Sequence, residues 1–165
     1  MQQYLPIFLL QFVLSTIIKI CHPLTKSNVI VAIDDYFLKF TINGVGVDLE
    51  SFRDLGNWVT IKRFSLYLSE GDELLFEGMN NHDALSNPRG MAIQIEFVKK
   101  NGEITVYKTG NGWTCDGKPA IQKANLSTAT NTFQYWKNAF PANTMVIWGQ
   151  ISNRKSICKF TIPKQ

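Results

Sequence analysis

From residue 28 onward the apolar positions of the chain recur every second residue, and hardly anywhere at the 3.6-residue spacing of a helix. Period two marks strands with one buried face, because successive side chains point to opposite sides of a pleated backbone. Residues 29–33 (VIVAI) are instead a short continuous apolar run, as expected of a central strand covered on both faces. Leu38, Phe40 and Ile42 alternate with Phe37, Lys39 and Thr41, and Asn43-Gly44 ends that strand in a turn. Phe64, Leu66 and Leu68 form the next apolar face, and Gly71-Asp72 turns the chain into residues 73–78, where Leu74 and Phe76 share a side. Met91, Ile93, Ile95 and Phe97 give the cleanest amphipathic strand, with Ala92, Gln94 and Glu96 opposite. Asn101-Gly102 is a strong hairpin signal, and the return strand, 103–108, is expected to turn Ile104 and Val106 inward. Residues 144–148 and 157–162 complete the set, the latter with Cys158, Phe160 and Ile162 on one face.

About eight or nine short strands joined by turns predict an all-β fold, an antiparallel jelly-roll sandwich with little helix. Only Thr132–Ala139 has room for a helical turn or two. With no internal repeat and no interior linker, residues 22–165 read as a single domain. Three longer irregular stretches stand out, 45–58, 80–90 and 113–133; loops beyond about 12 residues are uncommon and often functional. In a sandwich such loops gather at the ends of the sheets, where ligands bind.

Composition narrows the class. At 45% hydrophobic and 18% charged the chain of 165 residues is no disordered protein, and 11 glycines are too few for a collagen repeat. The net charge of +4 is spread over pairs such as Lys62-Arg63, Lys99-Lys100 and Arg154-Lys155. A nucleic-acid binder concentrates its cations in a stripe, so that partner is not expected.

The first 18 residues carry no charged side chain. Their apolar run is shorter than the roughly 20 residues of a membrane span and is broken by Pro6, Gln11, Ser15 and Thr16. Residues 1–21 therefore read as a secretory signal peptide, which makes the mature chain extracellular with no membrane span. A cut at Cys21 leaves two of the 3 cysteines, Cys115 and Cys158, to form one disulfide; a cut at Ser15 leaves Cys21 as a spare thiol. Secretion also brings Asn125, in the sequon Asn125-Leu126-Ser127, within reach of glycosylation.

Several blocks of sequence are similar, in order, to the galactose-binding-domain-like β-sandwiches. Residues 32–44 (AIDDYFLKFTING) resemble the strand pair that opens many of them, and 68–80 (LSEGDELLFEGMN) a later strand. Residues 88–95 (PRGMAIQI) resemble a third block, and Trp113, Trp136, Phe140-Pro141 and 145–148 (MVIW) a fourth. Glu73 departs from the pattern, which often has Asn there. The resemblance covers most of residues 29–162. It implies a jelly roll that binds carbohydrate, frequently with a structural calcium ion, although a fold of this breadth does not fix function.

Asp34 and Asp35 are the pair on which calcium would fall; a turn between two strands is the simpler account of the same residues. Adjacent strand residues point apart, so the two carboxylates are not expected to do acid–base work together. His82 is one of only two histidines, which argues against a His-rich zinc site. It lies in a polar loop, Asn80-Asn81-His82-Asp83, read either as a solvated turn or as a ligand-contacting loop. Trp136 and Trp148 are expected in the core, and packing is also the expectation for Trp113. With no nucleophile motif, no metal cluster and no carboxylate pair, no catalytic residue is expected.

Two functions compete at this stage. In the first, a secreted, non-catalytic, lectin-like domain binds glycans or glycosylated surfaces, with Asn81, His82, Asp83 and Arg89 contacting the sugar. In the second, a structural protein of an extracellular matrix, shell or secreted fluid uses the same fold without a sugar pocket.

Overall fold

In a computed structural model the described residues are 24–52, 54–81, 88–99, 101–130, 132–150 and 152–164. Residues 1–21, expected to be a signal segment, together with His82 and Asp83 lie outside them. Twelve strands run in order: β1 Thr25–Ile33, β2 Tyr36–Ile42, β3 Val45–Gly46, β4 Lys62–Leu68, β5 Glu73–Met79 and β6 Met91–Val98. Then follow β7 Ile104–Lys108, β8 Thr114–Cys115, β9 Lys118–Pro119, β10 Ile121–Asn125, β11 Met145–Trp148 and β12 Lys155–Thr161. They form two antiparallel sheets packed face to face. The front sheet has the order β10-β11-β6-β1-β4, with β7 also on β6; the back sheet has the order β3-β2-β5-β12-β8-β9. An all-β sandwich is the architecture, and among the described residues no helix is long and apolar enough to cross a membrane.

The core lies between the sheets. Val29, Val31 and Ile33 of β1, Ile93 and Ile95 of β6, and Phe40 and Phe76 of the back sheet are each at most 1% exposed. Phe40 and Phe76 stack with ring centroids 4.5 Å apart. Trp113, Trp136 and Trp148 are buried, as expected. Cys115 and Cys158 are direct cross-strand partners of β8 and β12 and are joined by a disulfide. A bridge across 43 residues of sequence holds the β8–β9 edge hairpin on the back sheet. Constraint of the unfolded chain by a loop of that size contributes about 4 kcal/mol at most.

Three strand faces depart from the simple alternation. In β2 the pairing shifts between Phe37 and Lys39, so a bulge turns both Phe37 and Phe40 inward and leaves Leu38 37% exposed. In β7 the direction is the reverse of the expected one: Ile104 and Val106 face outward, 61% and 45% exposed. The hairpin fixes the register Val98↔Ile104 and Glu96↔Val106, and cross-strand partners share a face, so both follow Glu96 and not Phe97. Gly102, at φ 83°, closes that turn where a side chain would be strained. In β6 the face expected in solvent is partly covered, since Ala92 is fully buried and Gln94 is 7% exposed.

The cover is the segment after β10. Short 3-10 helices at Leu126–Thr128 and Thr132–Ala139 lay Leu126, Phe133, Trp136 and Phe140 over Ile30, Ala32, Ala92 and Val146 on the outer side of the front sheet. Much of the stretch expected to be loop, 113–133, is thus three short strands and a cap. Gly90 is a close-approach position here, because a Cβ would come within 2.1 Å of Val146.

Candidate functional site

Asp34 and Asp35 occupy the bend where the chain leaves β1 in the front sheet for β2 in the back sheet. The turn is therefore a crossing between layers. Asp35 takes a left-handed backbone, φ 62°, and its carboxylate accepts a 2.6 Å hydrogen bond from the Asn81 amide. Asp34 is 4% exposed and accepts from Asn80 Nδ2 at 3.3 Å. Asn80 also donates to the Pro88 carbonyl at 2.9 Å, and Arg154 donates to the carbonyls of Asn80 and Asn81. Arg89 is 3% exposed and reaches the Asn153 carbonyl. Burial, with the charge of Asp35, raises the Asp34 carboxyl to about 7, while Asn80 and the Arg89 charge act to lower it.

Asp34, Asp35, Asn81 and Arg89 are thus brought together at one end of the sandwich. The Asp34 and Asp35 carboxylates are turned on Asn80 and the Asn81 backbone, and Arg89 reaches the Asn153 carbonyl, which makes this a clamp between the layers. Calcium requires six to eight oxygen ligands. Here the carboxylates and carbonyls already accept hydrogen bonds, and two guanidinium groups supply the positive charge. The described residues of the clamp therefore do not fit that ion. Among the described residues, no group of three or more His, Cys, Asp or Glu stands close enough to hold a metal.

A different polar cluster lies on the front sheet at the margin of the cap, reaching from Ile30 and Gln94 onto the part the cap leaves bare. Antiparallel register sets its rows. Ser65, Asn28, Glu96 and Val106 form one row across β4, β1, β6 and β7, and Arg63, Ile30, Gln94 and Lys108 form the next. Three inter-strand gaps make each row about 14 Å wide. At its centre Asn28 Nδ2 donates to Glu96 Oε2 at 3.0 Å, and Gln94 Nε2 donates to Oε1 at 2.8 Å. The carboxylate is held from both sides and keeps free lone pairs, since it accepts about four hydrogen bonds in all. Gln94 Oε1 is buried and receives no hydrogen bond among the described residues.

Above this floor lies a cleft of about 330 Å3 lined by Asn28, Ile30, Arg63, Phe64, Ser65 and Glu96. Tyr67, two residues beyond Ser65 on the same face, is 66% exposed. Arg63 and Ser65 also line a second cleft of about 560 Å3 around the β4 edge, against Asp48 and Ser51. Apolar body, fixed acceptor, amide, guanidinium and exposed ring are the ingredients of a small-ligand surface.

Alternation identified the even positions of β6 as an outer face but gave no reason to single out Glu96. The signal that finds it is register. Pairing Asn28 with both Ser65 and Glu96 joins residues 31 or more positions apart in sequence. Lys62, half of the basic pair Lys62-Arg63, is 1% exposed and donates to the Asn57 carbonyl at 2.7 Å. Burial lowers its amine to about 8, against an opposing pull from Asp54. Asn125 ends β10 and its side-chain Oδ1 accepts from the Ser127 amide, capping the first 3-10 turn. Comparison with protein-family models, curated proteins and solved structures finds no match for this chain.

Proposed function

We propose that this chain is a secreted, non-catalytic glycan-binding domain whose sandwich is the jelly roll of the galactose-binding-like type. The observation that carries the reading is Glu96, pinned by Asn28 and Gln94 at the floor of an open cleft beside an exposed tyrosine. Sugar hydroxyls both donate and accept. A fixed carboxylate takes their protons, Asn28 and Arg63 supply protons in return, and a ring such as Tyr67 offers an apolar surface to C–H faces. Rigid strands, not loops, hold these groups, so little order has to be acquired on binding. Glycosylation of Asn125 belongs to the same reading, since that side chain sits at the end of an edge strand of the front sheet.

Titration calorimetry against neutral and acidic mono- and oligosaccharides tests the proposal. Binding is expected in the micromolar to millimolar range, with Glu96→Ala weakening it about tenfold or more, as loss of a charged hydrogen-bond acceptor does. Absence of binding to every sugar, or full binding by the Glu96→Ala protein, would falsify it.

A further inference from the structure

The open face has a charge pattern that a neutral sugar does not require. Arg63 stands at one end of the Arg63–Ile30–Gln94–Lys108 row and Lys108 at the other, while Lys26 lies one row beyond Asn28, opposite Tyr67. The only anion among these rows is Glu96, whose two oxygens already accept from the amides of Asn28 and Gln94. Lys108 donates to the Ala142 carbonyl, whereas Arg63 and Lys26 make no ion pair among the described residues. On the back sheet Lys155 pairs with Glu77 and Lys159 with Glu73, while Lys118 makes no ion pair among the described residues. Arg63 therefore stands at the rim of a cleft with no ion pair among the described residues, Asp48 lining the second cleft it shares, and with a hydroxyl-binding centre beside it.

Building on the glycan-binding reading above, we propose that the ligand is an acidic oligosaccharide, its hydroxyls on Asn28, Gln94 and Glu96 and its anionic group on Arg63. A guanidinium presents parallel N–H donors that match a carboxylate or a sulfate in two-pronged fashion, which a lysine cannot reproduce. Gln94 strengthens the assignment independently. Its buried Oε1 still wants a donor, and a sugar hydroxyl or a water carried by one can supply it.

The test compares oligogalacturonate, a sulfated galacto-oligosaccharide and its unsulfated parent, matched in length, by calorimetry on the intact protein at low and physiological salt. An acidic sugar is expected to bind at least about tenfold more tightly than the neutral one at low salt. The gap should narrow as the screening length falls to about 8 Å. Which acidic sugar wins identifies the anion as carboxylate or sulfate. Arg63→Gln should remove the preference, weakening acidic binding at least about tenfold more than it weakens neutral binding, and Arg63→Lys should restore part of it. Lys118→Gln, an exposed cation on the back sheet, is expected to change nothing. Equal affinity for neutral and acidic sugars overturns the proposal and leaves the glycan-binding reading standing, whereas no binding at all overturns that reading as well. An equal loss in the Lys118→Gln protein overturns the assignment to Arg63 in favour of net charge.

Discussion

The clamp at Asp34 and the open face at Glu96 are built from the same kinds of residue, yet they end in opposite states. Each sets a carboxylate among amides with a guanidinium nearby. In the clamp the carboxylate is 4% exposed, and the arginine beside it is 3% exposed and turned on backbone. On the open face the carboxylate looks into a cleft, and the arginine ends in solvent. The difference lies in what covers each set. Where two layers meet, the chain must satisfy its own polar groups, because an unpaired charge there costs several kcal/mol. Where a sheet face is bare, water satisfies them and a ligand can replace the water.

Removing a partner from the clamp is the sharpest way to break this symmetry. Arg89→Met takes out a buried cation, with its hydrogen bond to the Asn153 carbonyl and the favourable charge it places near Asp34. Loss of one member of such a set costs about 3–5 kcal/mol. Denaturant unfolding is the measurement, with an unchanged slope and a lower midpoint expected. Asp34 should also titrate still higher in this protein, since the Arg89 charge acts to lower it.

Titration separates the two regions next. The folded pKa of Asp34 is about 7, above its ordinary 3.8. Between those values the folded chain keeps a proton that the unfolded chain has lost, so this group makes stability fall as pH rises from about 4 to 7. The penalty is complete about a unit above pH 7 and absent below pH 4, on the order of 4 kcal/mol. Asp34→Asn mimics the protonated form. Its midpoint should exceed that of the parent at pH 8, match it near pH 4, and lose the slope between; a parallel pair of pH profiles would remove Asp34 as the cause.

Much of the sandwich could be read from the residues alone, because the side-chain period of a strand is carried in the sequence. Val29–Ile33, Leu74 and Phe76, and Cys158 on its inward face all follow from spacing, and the cysteine pair follows from counting. What spacing cannot carry is register. The bulge at Phe37 comes from an offset against Glu77 and Gly78, and the outward turn of Ile104 comes from its pairing with Val98. Covering is equally silent. Nothing local to Ala92 or Gln94 announces that Phe133 and Trp136, some forty residues later, will lie over that half of the sheet. The two polar sites differed in legibility for the same reason. Asp34-Asp35 and Asn80-Asn81 catch the eye as short polar runs, whereas Asn28, Arg63, Ser65 and Glu96 meet only through two separate strand pairings, β1–β4 and β1–β6.

The smallest expected effect completes the contrast. Asn28 is exposed and gives its amide to Glu96 across the β1–β6 pair, so folding gains little from it. Asn28→Ala should change stability by no more than about 0.5 kcal/mol, the range of surface substitutions away from caps and buried networks. Its effect on sugar binding should be larger than that, since it removes both a donor to the ligand and one of the two hydrogen bonds that orient the carboxylate. A stability loss as large as that of Arg89→Met would mean that the amide–carboxylate set serves the fold, and the open face would then be a second clamp. A small loss in unfolding with a clear loss in calorimetry is the result that only a binding surface gives.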